Sequence, residues 1–359
     1  MRLLFTIVLF LHLLIHSIGF AKAFHWIETS GETNTMSGAQ GLLCLLVSIL
    51  LILTIAFFQR KNHIWILLSI VVIIISQVII LFNWEVAKYG SIINLIILIV
   101  AIISIAGWKF ENEFREDKVR AILSNPPSGG IISNEDLEHL PVLVQKYITS
   151  SGYLGKPKID NVLIRFNGEM RERGKKWFKF RSEQLNVIKN PSRYFFMKAI
   201  FKGIPTKGYH RFDGRSARMT IKSLSILKII DMSSEELLIS EMVTYLNDIC
   251  IFAPGALISN KFTWEQDGQN TIKVNFTNYR RTVTAILEIN DNGQLINFFS
   301  RDRYTINETK KYLFSTPVGG YQNFNGFKLA SYGEAIWHYP EEDFVYGKFE
   351  VKEIEYNIK

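Results

Sequence analysis

Two patterns of apolar and polar positions divide the chain. Four runs, at 3–20, 41–58, 64–82 and 92–108, are apolar almost without interruption. Each has nearly the length, roughly 20 residues, that a helix needs to cross a bilayer. The loops between them are short, so residues 1–109 are expected to form an all-α bundle of four transmembrane helices. From Ile159 onward apolar and polar residues alternate with a period of two, and turn residues recur every few positions. This predicts strands at 159–172, 176–188, 193–202, 206–213 and 216–222. After an interruption, further strands are predicted at 261–266, 271–279, 282–290, 294–304, 309–316, 327–338 and 344–357.

The interruption has helical spacing. Ser233-Ser-Glu-Glu236 reads as a capping box opening a helix that carries Glu241, Tyr245 and Asp248, and a second short helix is expected at 253–259. The fold class expected for residues 131–359 is therefore α+β: a large, curved, mostly antiparallel sheet, a half-barrel with inserted helices. A sheet of ten or more strands must curl or close. Helices on its concave side then leave an enclosed apolar space, a natural ligand site.

Residues 110–130 join the two parts. The segment Trp108–Arg120 continues the fourth run as a charged helix, and Asn125-Pro-Pro-Ser-Gly-Gly130 ends it. A further helix is expected from Asp136, interrupted or kinked at Pro141.

Charge supplies an orientation. Residues 1–109 hold six Lys/Arg and three acids, leaving 35 and 30 for the rest of the chain. Arg2, Arg60, Lys61, His63 and Lys109 flank one side of the spans; Lys22 and Lys88, diluted by Glu28, Glu32 and Glu85, flank the other. The rule that cytoplasmic flanks are the basic ones places both termini and the C-terminal domain in the cytoplasm, on a multi-pass protein of the inner (cytoplasmic) membrane. Ala21-Lys22-Ala23 loosely resembles a signal-cleavage site, but the apolar run before it is long and Lys22 is an unusual middle residue.

Polar residues at membrane depth are functional candidates by default. His12 and His16 share one face of the first run, and Ser76, Gln77 and Asn94 lie in the third and fourth. A haem would want a second axial histidine, and zinc a third ligand nearby; neither stands in these runs. Histidines hydrogen-bonded across helices are the simpler reading.

In the C-terminal domain, Arg165–Lys228 holds 17 Lys/Arg against four acids. Such a half suits anionic lipid headgroups. It equally suits a sheet with lysines and arginines facing solvent. No nucleic-acid motif accompanies it. Nucleophile elbows, phosphate loops, dinucleotide fingerprints and zinc-protease motifs are absent from the sequence, so no cofactor, metal or enzyme class is called for. Cys44 and Cys250 make no disulfide framework.

Several short runs together carry a resemblance. They are His-x-x-Ile-His-x-x-Gly-Phe-x-Lys-Ala-Phe over His12 to Phe24, Ser76-Gln77, Ala87-Lys-Tyr-Gly90 with Asn94, Leu140-Pro141-x-x-Val144-x-x-Tyr147 and Ser151-Gly152. Further on come Gly168-Glu-Met-Arg171, Trp177-x-x-Phe180, Tyr245-Leu246-Asn-Asp248, Pro254, Ala256-Leu257, Arg301-x-Arg303-Tyr304, Phe324-Asn-Gly326 and Trp337. In this order they resemble bacterial membrane-anchored proteins of an uncharacterised domain family. The resemblance implies that the first span is retained, and it supplies no activity. Asp248 stands where the pattern has Glu and Thr244 where it has Arg, which weakens a catalytic reading of that helix. The strand–helix–strand order also looks like the curved-sheet fold of lipoprotein carriers, an analogy of architecture alone.

The leading expectation is a membrane-anchored binding module, its basic half toward membrane lipids and its cavity filled by an apolar or acyl-bearing ligand. Tyr245, Asp248, Trp264, Arg301, Arg303, Tyr304 and Trp337 are the expected lining or gating residues. One alternative is an enzyme on a small membrane-derived substrate, with Asp248 and Arg301 as acid–base and anion-holding groups. The other is a sensor or scaffold working through His12, His16, Gln77 and Asn94. The sequence names no protein partner.

Overall fold

A computed structural model describes residues 2–27, 36–305 and 310–359. The chain divides into two compact units, Met1–Lys109 and Phe110–Lys359.

The first unit contains α1 (Arg2–Ala23), α2 (Gly38–Gln59), α3 (Ile64–Phe82), the single turn α4 (Trp84–Ala87) and the first part of α5 (Gly90–Leu123). α1, α2, α3 and α5 are long and apolar enough to cross a membrane. Leu42, Leu67, Leu81 and Ile92, among many large apolar side chains, point outward from them. In water such a surface would aggregate; in hydrocarbon it is solvated. Phe5, Leu9, Val47, Leu51, Val72 and Ile97 form the inward-facing seam.

In the second unit α6 (Val142–Ser150) precedes β1 (Asn161–Met170), β2 (Phe178–Val187), β3 (Ser192–Phe201), β4 (Ile204–Phe212), β5 (Ala217–Ser223) and β6 (Leu227–Met232). Then come α7 (Glu235–Phe252) and a short 3-10 helix, Pro254–Ile258. The sheet resumes with β7 (Phe262–Gln266), β8 (Thr271–Asn278), β9 (Arg281–Ile289), β10 (Leu295–Ser300), β11 (Leu313–Ser315) and β12 (Val318–Gly319). A separate hairpin, β13 (Gln322–Phe324) with β14 (Phe327–Leu329), precedes β15 (Tyr332–His338) and β16 (Asp343–Tyr356).

Apart from that hairpin the strands make one antiparallel sheet in the order β6-β5-β4-β3-β2-β1-β16-β15-β11-β10-β9-β8-β7, with β12 beside β15. The first and last strands of the unit thus pair at the centre. α7 packs on β2–β5 of one arm and on β9 and β10 of the other, so the sheet bends around it. Bulges at Arg165/Phe166 and Ala335/Ile336 lie in the central strands, where an extra residue bends the ladder.

The alternation of each strand assigns its two faces. Val162, Ile164 and Phe166, with Phe212 and Met219, join the core around α7. Their neighbours Leu163, Leu185, Tyr194, Phe196 and Tyr209 face outward, where Phe110, Phe114 and Ala121 of α5 cover them. The end of α5 is therefore packed rather than a free stalk. Its acids neutralise part of the basic sheet: Glu111 meets Lys198 at 2.8 Å, and Asp117 accepts from the Tyr209 hydroxyl at 2.8 Å. Glu183 of β2 pairs with Lys118 and with Arg165.

Several expected elements differ. No helix runs from Asp136: the segment is a turn, and α6 starts after Pro141, its N-cap. Proline disfavours helical backbone at the residue before it, so the two halves cannot be one helix. β6 was not expected, because its turn at Leu224–Ile226 lacks the usual Gly or Asn, and Leu224 and Ser225 take positive φ of 49° and 62°. The strand expected at 294–304 stops at Ser300, so Arg301, Arg303 and Tyr304 belong to the following loop. The strand expected from 309 begins at Leu313; 306–309 lie outside the described residues. The strand expected at 327–338 is two strands, broken at Ala330–Ser331.

Candidate functional site

α7 is buried over nearly its whole length, yet Glu241, Thr244, Asn247, Asp248 and Ile251 recur on it at helical spacing and face one cavity. The cavity is about 360 Å³. It lies between α7 and the inner faces of the sheet. Most of its wall is apolar: Phe195 and Met197 come from β3, Met219 and Ile221 from β5, and Phe349 and Val351 from β16. Its rim includes the half-buried Phe178 and Phe201 and the exposed Glu172, Ile229 and Tyr332.

A charged cluster is built into the wall. Arg193 of β3 donates from Nε to Asp248 Oδ2 at 2.7 Å, from Nη1 to Glu241 Oε2 at 3.0 Å and from Nη2 to Gln184 Oε1 at 2.8 Å. Gln184 Nε2 and Asn186 Nδ2 of β2 donate to the same Asp248 oxygen, at 2.8 Å and 3.2 Å. His210 Nδ1 lies 2.9 Å from Glu241 Oε1. Arg193, Glu241 and Asp248 are only 7%, 5% and 6% exposed.

One cation here serves two carboxylates, and their titration splits. Burial opposes charge at Glu241, but Arg193, His210 and Arg303 outweigh it and hold the group down at about 2. Burial pushes Asp248 up against the pull of Arg193, and the charge of Glu241 adds to the push. Two like charges beside one guanidinium make the second carboxylate the one that protonates first. Burying these ions is tolerable because each is paired and hydrogen-bonded.

A second cation lies across the cavity. Arg303 donates to the Tyr346 hydroxyl at 2.7 Å and sits over the Phe314 ring at 4.2 Å and the Trp337 ring at 5.3 Å. Asn247 donates to Thr316 Oγ1 at 3.0 Å, while its Oδ1 is buried without a partner among the described residues.

Among the residues expected at the site, Asp248 and Arg303 line the cavity, and Trp337 backs the Arg303 face of it. Tyr245 does not: its hydroxyl donates to the Val187 carbonyl at 2.9 Å and ties α7 to β2. Trp264 packs at the core edge from β7, outside the cavity wall, its Nε1 without an acceptor among the described residues. Tyr304 donates its backbone N–H to Ser240 Oγ at 3.0 Å beside α7. Arg301 is exposed and absent from the cavity wall, so the expected pairing with Asp248 does not form; Arg193 takes that place. Arg193, Gln184 and Asn186 were not foreseen. Their one signal is that polar residues fall on the inward phase of β2 and β3.

The first unit holds a neutral counterpart. Ser76 Oγ lies 3.0 Å from His16 Nε2, 3.2 Å from His12 Nε2 and 3.2 Å from Asn94 Nδ2. Asn94 also donates to Gln77 Oε1 at 3.1 Å. A hydroxyl accepts two hydrogen bonds and donates one. With Asn94 as one donor, one histidine presents Nε2–H to Ser76 and the other accepts from it. The expected polar residues of the spans thus meet around a serine.

Comparison with known proteins places the chain in a family. Residues 130–349 match the model of the Family of unknown function (DUF6544), and the chain belongs to it. No curated protein matches. Among solved structures the chain is similar to a LolA superfamily protein from Nitrosomonas europaea, at 9% identity over 60% of this chain and 94% of the other, with a TM-score of 0.35. MucB in complex with MucA(peri) is similar at 8% identity over 60% and 98%, with a TM-score of 0.10.

Proposed function

We propose that this member of the family is a membrane-anchored binding module whose cavity takes a ligand with a single apolar or acyl chain. The observation that carries the reading is the cavity itself: a mainly Phe, Met and Ile wall closed over by α7, with a few fixed polar groups. Ligand sites have this make-up. At 360 Å³ the cavity is near the small end of the ~300–1,000 Å³ usual for such sites, which favours one chain over two or three. The polar end of the ligand meets Arg303. Asp248 and Glu241 are committed to Arg193 and serve as wall rather than as acid and base.

The four apolar helices anchor the module, and the basic flanks favour the cytoplasmic side of the inner membrane for the C-terminal unit. The test is native mass spectrometry of the detergent-purified full chain, with extraction of whatever co-purifies, followed by titration of the delipidated protein with a fluorescent acyl probe. One single-chain amphiphile and saturable probe binding are expected. Thr244→Trp, which puts a large ring into the cavity from the middle of α7, should abolish probe binding with the unfolding midpoint little changed. Delipidated wild-type protein that binds no acyl probe would falsify the reading.

A further inference from the structure

The hairpins β3–β4 and β5–β6 end in apolar tips that nothing among the described residues of this unit covers. Ile200, Ile204, Ile226, Leu227 and Ile229 are 44% to 65% exposed. The tips are joined, Leu224 N–H donating to the Pro205 carbonyl at 2.8 Å. The same hairpins turn at their other end through Asn190-Pro191 and Asp213-Gly214, ordinary polar turns. Within these two hairpins the exposed large apolar side chains thus lie at one end. At that end Leu224, with φ 49°, occupies a conformation usually left to Gly or Asn. Local rules broken in one place, without local gain, mark a functional feature.

Charge at the tips is mainly basic. Lys202 and Lys222 flank the exposed residues, while Lys228 is paired with Asp231 at 2.6 Å. Chain connectivity adds an address. The chain enters this unit at Phe110 and Glu111, which meet Lys222 (4.0 Å from the Phe110 ring) and Lys198 (2.8 Å). Ile200 and Ile204 lie two to three residues beyond those partners, roughly 7–10 Å along the strands. The residue before Phe110 is Lys109, next to the last residue of the fourth apolar run. Finally, the patch is continuous with the cavity rim, since Ile229 belongs to both and Phe201 of the rim follows Ile200.

We infer that the β3–β4 and β5–β6 tips dock into the surface of an anionic bilayer, the isoleucines and leucine among the acyl chains and the lysines among the headgroups, with the cavity mouth opening at that interface. The inference rests on the membrane-anchored reading and leaves the identity of the cavity ligand open.

The test uses the full chain in proteoliposomes of phosphatidylcholine with a quarter phosphatidylglycerol. Ile204→Cys and Leu227→Cys are each labelled with an environment-sensitive fluorophore; the native Cys44 and Cys250 are buried. Arg215→Cys, at the opposite end of the sheet, and Ile74→Cys, on an exposed position of α3, serve as references. Lipids spin-labelled near the headgroup should quench the tip labels several-fold more than the label at 215. The difference should shrink in pure phosphatidylcholine. Tip labels quenched by aqueous iodide as fully as that at 215, with lipid quenching intact at 74, would overturn the docking and spare the anchoring. Lipid quenching absent at 74 as well would overturn both.

Discussion

The two buried polar clusters of this protein invite comparison. Around Ser76, three helices bring together two histidines, an asparagine and a glutamine, all neutral hydrogen-bonding groups. Around Arg193, three strands and a helix bring together a guanidinium, two carboxylates, two amides and a histidine. Both sit in apolar surroundings, where unpaired polar atoms are expensive. They differ in what a missing member costs. A neutral group that loses its partner forfeits a hydrogen bond. A buried ion that loses its counter-ion is left with most of its desolvation penalty.

The largest effect should therefore follow Arg193→Met. It strands Glu241 and Asp248 and should destabilise the second unit by about 3–5 kcal/mol, measured by denaturant unfolding of the detergent-solubilised full chain. Adding Glu241→Gln and Asp248→Asn should recover much of the loss, because the triple variant buries no unpaired charge. A single variant as stable as the triple would show that the cluster is not coupled in this way.

The pH dependence separates the two carboxylates. Glu241 is held down from 4.5 to about 2, so its stabilisation is complete above pH 4.5 and lost as pH falls from there toward 2. Asp248 is raised above 3.8, so the folded state binds its proton first, and stability should rise as pH falls from neutral through that raised value. Wild-type stability should thus pass through a shallow acid maximum before collapsing. Asp248→Asn should remove the rise and keep the collapse. An unfolding midpoint that falls monotonically from pH 7 in both proteins would contradict the assignment.

The smallest effect belongs to the neutral cluster. Ser76→Ala removes the hydroxyl that joins His12, His16 and Asn94. Interhelical hydrogen bonds in membranes contribute about 0.6 kcal/mol on average and reach roughly 1.7, so a loss of about 1–2 kcal/mol is expected in a detergent-unfolding titration. A loss as large as that of Arg193→Met would erase the contrast between the clusters.

How far each cluster was legible follows from the same contrast. His12 and His16 stand four apart on one helix, Ser76 and Gln77 are neighbours, and membrane depth makes any polar residue conspicuous. Glu241 and Asp248 were visible on α7 for the same local reason. Their partner was not. Arg193 sits among 17 cations between Arg165 and Lys228, most of them on outward positions, and nothing local distinguishes it. What distinguishes it is phase: it shares the inward face of β3 with Phe195 and Met197, whereas Lys198 faces outward to Glu111. A shift of one residue in register would exchange those roles. Tyr245 shows the converse error. A conspicuous aromatic next to a carboxylate was read as lining, and it instead ties α7 to a backbone carbonyl of β2.

The four apolar helices, the central inserted helix, the antiparallel meander and the Asn325-Gly326 hairpin, with both residues at positive φ, were determined by the sequence itself, because helix period, strand period and turn chemistry are properties of neighbouring residues. The closing of β1 on β16, the choice of Arg193 over Arg301, the packing of the end of α5 on the basic face and the position of the cavity were decided only by tertiary structure. Each depends on register between segments far apart in the chain, and register is fixed by which faces are buried together.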